Sequence, residues 1–205
     1  DTLRSRGLGD VYKRQLSIPG NTKFVDASGA TLTTGLSGLV NVEFNSSGRT
    51  FTLGESLSYV TGNITIASNT TLDPSANNYG IELDGNWINN GTFTIRSGTV
   101  SFSGSDTQTM SGTCSFYNLT VNNSHSSNKV TPSSSVTVSN LLNISDGILA
   151  APASDFDDVT IGANGNLEIS GNITVSGDWN DGGSFTPSTN TVTFDGSSAQ
   201  SITSG

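Results

Sequence analysis

The chain has 205 residues, 12% of them charged and 32% hydrophobic, with a formal net charge of −9 and a pI near 4.2. That balance disfavours nucleic acid and anionic membrane surfaces as partners. No apolar run approaches the ~20 residues needed to cross a bilayer, and a single cysteine, Cys114, excludes an internal disulfide. Gly, Ser, Thr and Asn make up about half of the chain, a composition shared with disordered proteins. The apolar residues are not scattered, however. They fall in short alternating words such as "TVSF", "LTV", "VTV", "LEIS" and "NITV", which read as strands with alternate side chains facing a core. No segment carries the 3.6-residue period of an amphipathic helix, so the predicted fold class is all-β.

The first fifteen residues, "DTLRSRGLGDVYKRQ", hold Arg4, Arg6, Lys13 and Arg14, half of the eight basic residues of the chain. The vocabulary changes at Leu16. The stretch resembles the conceptual translation of a sequencing adapter, which implies that residues 1–15 are a non-native segment to be set aside in fold reasoning. Without its four basic and two acidic residues the net charge moves from −9 to −11. On this reading the natural N-terminus, with any signal peptide, lies outside the sequence, and residues 16–205 form the repeat region.

Residues 41 to 52, "NVEFNSSGRTFT", give a weak echo of "TVSFSGSDTQTM" at residues 99 to 110. The strong repeat starts at residue 85. Placing 85–112 over 177–204 without a gap matches Gly85 with Gly177, Trp87 with Trp179, Gly91 with Gly183 and Phe93 with Phe185. It also matches Val100 with Val192, Phe102 with Phe194, Gly104 with Gly196 and Gln108 with Gln200. Eleven of 28 positions are identical, at a spacing of 92 residues. The second copy stops before the counterpart of "FYNLTVNN", so the reading expects more chain beyond Gly205 as well.

Within a copy, strand words recur every seven to ten residues. Three short strands and three turns take roughly 20 to 25 residues, the size of one coil of a parallel β-helix. Each 92-residue unit is then expected to hold about four coils, and the chain about eight, a rod some 40 Å long. The predicted architecture is a right-handed parallel β-helix, a solenoid with apolar residues inside, Ser, Thr and Asn outside, and Gly and Asn at tight corners. An antiparallel β-sandwich is the alternative, because short strands with regular turns describe it too.

The residues with potential chemistry are few. Trp87 and Trp179 each follow a Gly-Asn or Gly-Asp corner, which suits corner packing, while an exposed ring there would stack on a sugar. Cys114, with no cationic neighbour in sequence, reads as a small core residue. His125, the only histidine, lies in the polar stretch "NNSHSSNK" and reads as a solvated loop. Asp155, Asp157 and Asp158 form the densest acidic cluster. They lack the ligand spacing and glycine of a Ca²⁺ loop, and Asp157 and Asp158 would point to opposite faces if extended, which counts against a paired-carboxylate glycosidase site. The sequons at Asn63, Asn118 and Asn172 are what an Asn-, Ser- and Thr-rich chain makes by accident. Thr-x-Thr words at Thr92 and Thr94 and at Thr191 and Thr193 would bind ice only if aligned on one face through several coils, which their spacing does not promise. No phosphate loop, nucleophile elbow or paired Cys or His spacing occurs.

The pattern "W-x-N-N-G-T-F-T", followed by "T-V-S-F-S-G-S-x-x-Q-T-M-S-G" and "F-Y-N-L-T-V-N-N", resembles the β-strand-repeat segments of large secreted or surface-exposed bacterial proteins, including adhesin-like β-helices. The resemblance covers residues 80–205 well and 16–79 loosely. It implies an extracellular or cell-surface location and a stalk or adhesive role for one segment of a longer chain, with surface glycans or other proteins as partners. No catalytic residue comes with the resemblance, and no membrane insertion, cofactor or metal is expected in this segment, hence no enzyme. The alternative is a carbohydrate-active β-helix enzyme or carbohydrate-binding module.

Overall fold

A computed structural model describes residues 2–4, 20–25, 30–33, 37–124 and 127–205. These residues form strands and turns wound as a parallel β-solenoid of about nine turns. The pairing between coils is parallel throughout the described residues, which removes the antiparallel sandwich. Of residues 1–15 only the backbone of Thr2–Arg4 is described, and it pairs with Lys23–Val25.

Each coil contributes a strand to three ladders. On the first, Val42, Ile64, Trp87, Met110 and Pro132 stack in register. The third runs through eight coils, with Leu57, Ile81, Val100, Leu119, Leu142, Val159, Trp179 and Ile202 one above another. The second stacks Ala30–Leu32, Arg49–Leu53, Thr70–Asp73 and Thr92–Phe93. Its pairing resumes with Cys114, Val136, Ser154, Ile173 and Val192 at the same place in later coils. Alternation puts the apolar member of each strand inside and its polar neighbours outside. Strands such as Ile64–Ile66 and Ile173–Val175 show it directly, buried at both ends and half-exposed between.

The step from coil to coil ranges from 17 residues, Leu142 to Val159, to 24, Leu57 to Ile81. The short coils arise where Val136–Ala151 and Ser154–Ile169 pass through corners as continuous strands with register shifts. A bulge replaces a loop there and removes several residues.

The 92-residue repeat is not a whole number of turns. Trp87 lies on the first ladder and Trp179 on the third, and fourteen strand steps separate them, four turns and two thirds, where the sequence led to an expectation of about four coils. The weaker echo changes face as well, since Asn41–Phe44 is on the first ladder and Thr99–Phe102 on the third. What the repeat preserves is the local interface between one coil and the previous one. Gln108 Nε2 donates to the carbonyls of Leu83 and Gly85 at 3.2 and 2.9 Å. Gln200 Nε2 donates to those of Val175 and Gly177, their counterparts, at 3.0 and 2.6 Å. A Cβ on Gly91 would meet the Thr70 carbonyl at 2.3 Å, and one on Gly183 the Gly162 carbonyl at 2.1 Å, so both corners need glycine. The unit is a strand-and-corner module that starts on the first side in one copy and on the third in the other.

Both tryptophans are core residues. Trp87 is fully buried and Trp179 is 6% exposed. Each meets the phenylalanine six positions later edge-on, Phe93 at 5.1 Å and Phe185 at 4.9 Å between centroids. Burial also claims Cys114, whose thiol is pushed above its ordinary pKa by desolvation. Trp87 Nε1 makes no hydrogen bond, so its N–H weakens the packing its ring provides.

These contacts predict that Trp87→Ala costs about 3–5 kcal/mol in urea denaturation, and that Trp87→Phe costs far less because it also removes the unpaired N–H. Gln108→Ala, which leaves the Gly85 carbonyl without its donor while the Leu83 carbonyl keeps the Ser103 N–H, costs about 1–3 kcal/mol, more than Gln200→Ala at its more exposed corner.

Candidate functional site

The outer surface is built by the same register as the core. Residues one coil apart stand side by side, so chemistry collects in rows running along the axis. One such row lies on the second ladder, where Thr137, Asp155, Thr174 and Thr193 are aligned. Beside them Ser139, Asp157, Ser176 and Asp195 form a second row, and the two enclose an open groove of about 490 Å³.

Hydroxyls separate the carboxylates. Thr174 Oγ1 donates to Asp155 Oδ1, and Ser176 Oγ donates to Asp157 Oδ1 at 3.0 Å. Asp157 and Asp195 therefore stand two coils apart, roughly 9.5 Å along the axis, with a hydroxyl between them.

The sequence-derived candidates separate accordingly. Asp155 and Asp157 share one outer face. Asp158 sits at the next corner, where its Oδ1 accepts the Asp178 N–H at 2.7 Å. Extended alternation would have sent Asp157 and Asp158 to opposite faces. The chain instead turns between ladders here, with Val138 opposite Phe156 but Leu141 opposite Asp158, so both stay at the surface, half-exposed. Among the described residues no three His, Cys, Asp or Glu side chains are grouped to hold a metal ion. His125 lies outside the described residues.

The sequon asparagines serve the corners. Asn63 Oδ1 accepts the Asn86 N–H at 2.8 Å, Asn118 Oδ1 accepts from Asn140 Nδ2 at 2.7 Å, and Asn172 Oδ1 accepts the Thr191 N–H at 3.0 Å. Each ties its coil to the next and satisfies a polar group at a turn.

Threonines do line up on the second ladder, an alignment that their sequence spacing did not promise. Thr50, Thr71 and Thr92 form one column, and Thr31, Thr52 and Asp73 the next. The second column is broken by charge, because Arg96 Nε and Nη2 bind the two Asp73 carboxylate oxygens at 3.0 and 2.9 Å. A flat hydroxyl-and-methyl lattice does not extend through that ion pair.

Asp195, Thr137, Ser139, Thr174 and Ser176 were not singled out by sequence reasoning. The available signal was a spacing of 19 residues, which carries Asp155 to Thr174 to Thr193 and Asp157 to Ser176 to Asp195. Among the described residues no helix is long and apolar enough to cross a membrane. Comparison of the chain with protein-family models, curated proteins and solved structures finds no match. The class defined by the geometry is a β-solenoid with polar axial rows.

The Arg96 hydrogen bonds hold the Asp73 carboxyl below its ordinary pKa; partial burial opposes this and the Ser75 N–H assists it. A carboxyl depressed in the folded state stabilises fully above its unfolded pKa, about 3.9, and loses that contribution as pH falls through the lower folded value. Melting temperature is thus expected to decline in acid below about pH 4, and Asp73→Asn should flatten part of that decline in a pH series.

Proposed function

We propose that this chain is a structural or adhesive repeat segment of a secreted or cell-surface bacterial protein, a stiff spacer that offers weak contacts repeated along its length. The observation that carries the reading is the third ladder, which stacks coil on coil from Leu57 to Ile202 around an apolar interior. A solenoid bonded in this way lengthens by adding coils, and each coil presents a similar polar strip. The resemblance of the 85–112 motif to surface-protein repeats supports an extracellular or cell-surface location. The acidic, hydroxyl-rich exterior suits glycans or proteins as partners.

Weak sites on one rod add through effective concentration. Displayed on a bacterial cell as one, two and three tandem copies, the segment should raise adherence to glycan-coated and protein-coated surfaces more than in proportion to copy number. Equal adherence by a scrambled segment would contradict the adhesive role.

The Asp155, Asp157 and Asp195 groove favours a second reading, a carbohydrate-active β-helix enzyme or binding module. Its test is release of reducing ends from neutral polysaccharides. The spacer reading expects none from the parent chain. Turnover that falls by about 10²–10⁴ in Asp155→Asn with Asp157→Asn would install the enzyme in its place.

A further inference from the structure

The third ladder carries a bulge between Leu57 and Val60, where the Gly38 N–H donates to the Ser58 and Tyr59 carbonyls at 3.3 and 3.1 Å. Leu57 stands opposite Ile81 and Val60 opposite Leu83, so Ser58 and Tyr59 together face the single residue Glu82. The extra residue is accommodated by Tyr59 in the left-handed region, at φ 60°. Among the described residues the other non-glycine positions with positive φ are Asn69, Ser75, Asn78 and Ser188. All four are small polar types; Asn in particular tolerates that conformation, whereas a bulky aromatic does so only under strain.

The strain turns an aromatic ring outward. Tyr59 is 52% exposed, while Trp87, Phe102 and Phe116 are enclosed in the core. Among the described residues the other large exposed apolar side chains are Ile95, Phe194 and Ile202, two of them in the last coil. Along the same strand lies a shallow groove of about 220 Å³, where Ser56, Ser58, Glu82, Thr99 and Ser101 rim an apolar floor of Leu57 and Ile81; Tyr59 adjoins it through Ser58 and is not itself part of the lining. Ser101 continues the row above Glu82.

We propose that Tyr59 and this groove form a subsite for a neutral sugar chain. The C–H face of a pyranose packs on the exposed ring, an apolar body with a polar rim. Its hydroxyls donate to Glu82 and exchange hydrogen bonds with Ser58, Thr99 and Ser101. Glu82 and the net charge of −9 disfavour uronic acids and other anionic sugars. Strain held at a position that exposes a ring, beside hydroxyls aligned by the coil register, is the arrangement expected of a ligand clamp. This site gives the adhesive reading a ligand class and rests on that reading.

The test is an NMR titration of the whole chain with cellohexaose, laminarihexaose and xylohexaose, using the parent, Tyr59→Phe and Tyr59→Asn. The asparagine tolerates the left-handed backbone, so this variant keeps the bulge and should melt at the parent temperature or above. At least one sugar is expected to shift the Ser58, Glu82 and Ser101 amides with a dissociation constant near 1 mM. Tyr59→Phe should bind similarly, and Tyr59→Asn at least tenfold more weakly. No shift with any of the three sugars, or shifts that persist in Tyr59→Asn, would overturn the subsite. Copy-dependent adherence to protein-coated surfaces without any sugar shift would leave the adhesive reading standing and remove only this site.

Discussion

Each coil must lie about 4.8 Å above the last, with its main-chain hydrogen bonds directed along the axis. That constraint fixes which residues point inward, and it brings corners so close that some tolerate only glycine. It also leaves carbonyls at the turns that a side chain must reach. Gln108 and Gln200 reach two each, Asn63 and Asn118 bridge to the next coil, and Gly91 and Gly183 admit the neighbouring backbone. These contacts involve only the adjoining coil. The same module therefore works on more than one side of the solenoid, and a duplicated segment returns on another face with its contacts kept.

The exterior follows from the same geometry. A row such as Asp157, Ser176 and Asp195 is assembled by spacing alone, and the intervening hydroxyl keeps carboxylates from adjoining one another. Such rows give a long, repetitive, hydrogen-bonding surface in place of one enclosed cavity. That surface suits weak, distributed contacts. Tyr59 departs from it, since there the backbone leaves the regular ladder to present an aromatic ring.

Much of the fold was legible in the sequence because the alternation of words such as "NITV" and "TVSF" is the alternation of the ladders themselves. The corner role of the glycines and the core placement of Cys114 could be read for the same reason. The number of coils per repeat could not be read, because coil length depends on whether a corner is a loop or a bulge. The 17-residue coil between Leu142 and Val159 shows that difference. The two tryptophans gave both a packing and a stacking reading, and burial decides for packing. Asp157 and Asp158 misled because strict alternation fails at a corner. Tyr59 gave no signal, since left-handed backbone at an aromatic residue breaks the local preference on which sequence reading depends.

The most direct test of the architecture is cysteine cross-linking along the outer row of the third ladder, where Thr120, Asn143, Thr160, Asn180 and Thr203 stand one coil apart. Neighbouring Cα atoms about 4.8 Å apart fall within the 4.4–6.8 Å reach of a disulfide. Thr160→Cys with Asn180→Cys should therefore oxidise readily, as should Asn143→Cys with Thr160→Cys. Thr120→Cys with Thr160→Cys, two coils apart, should stay reduced. Failure of both adjacent pairs, or cross-linking of the pair that skips a coil, would contradict the parallel register on which the rest depends.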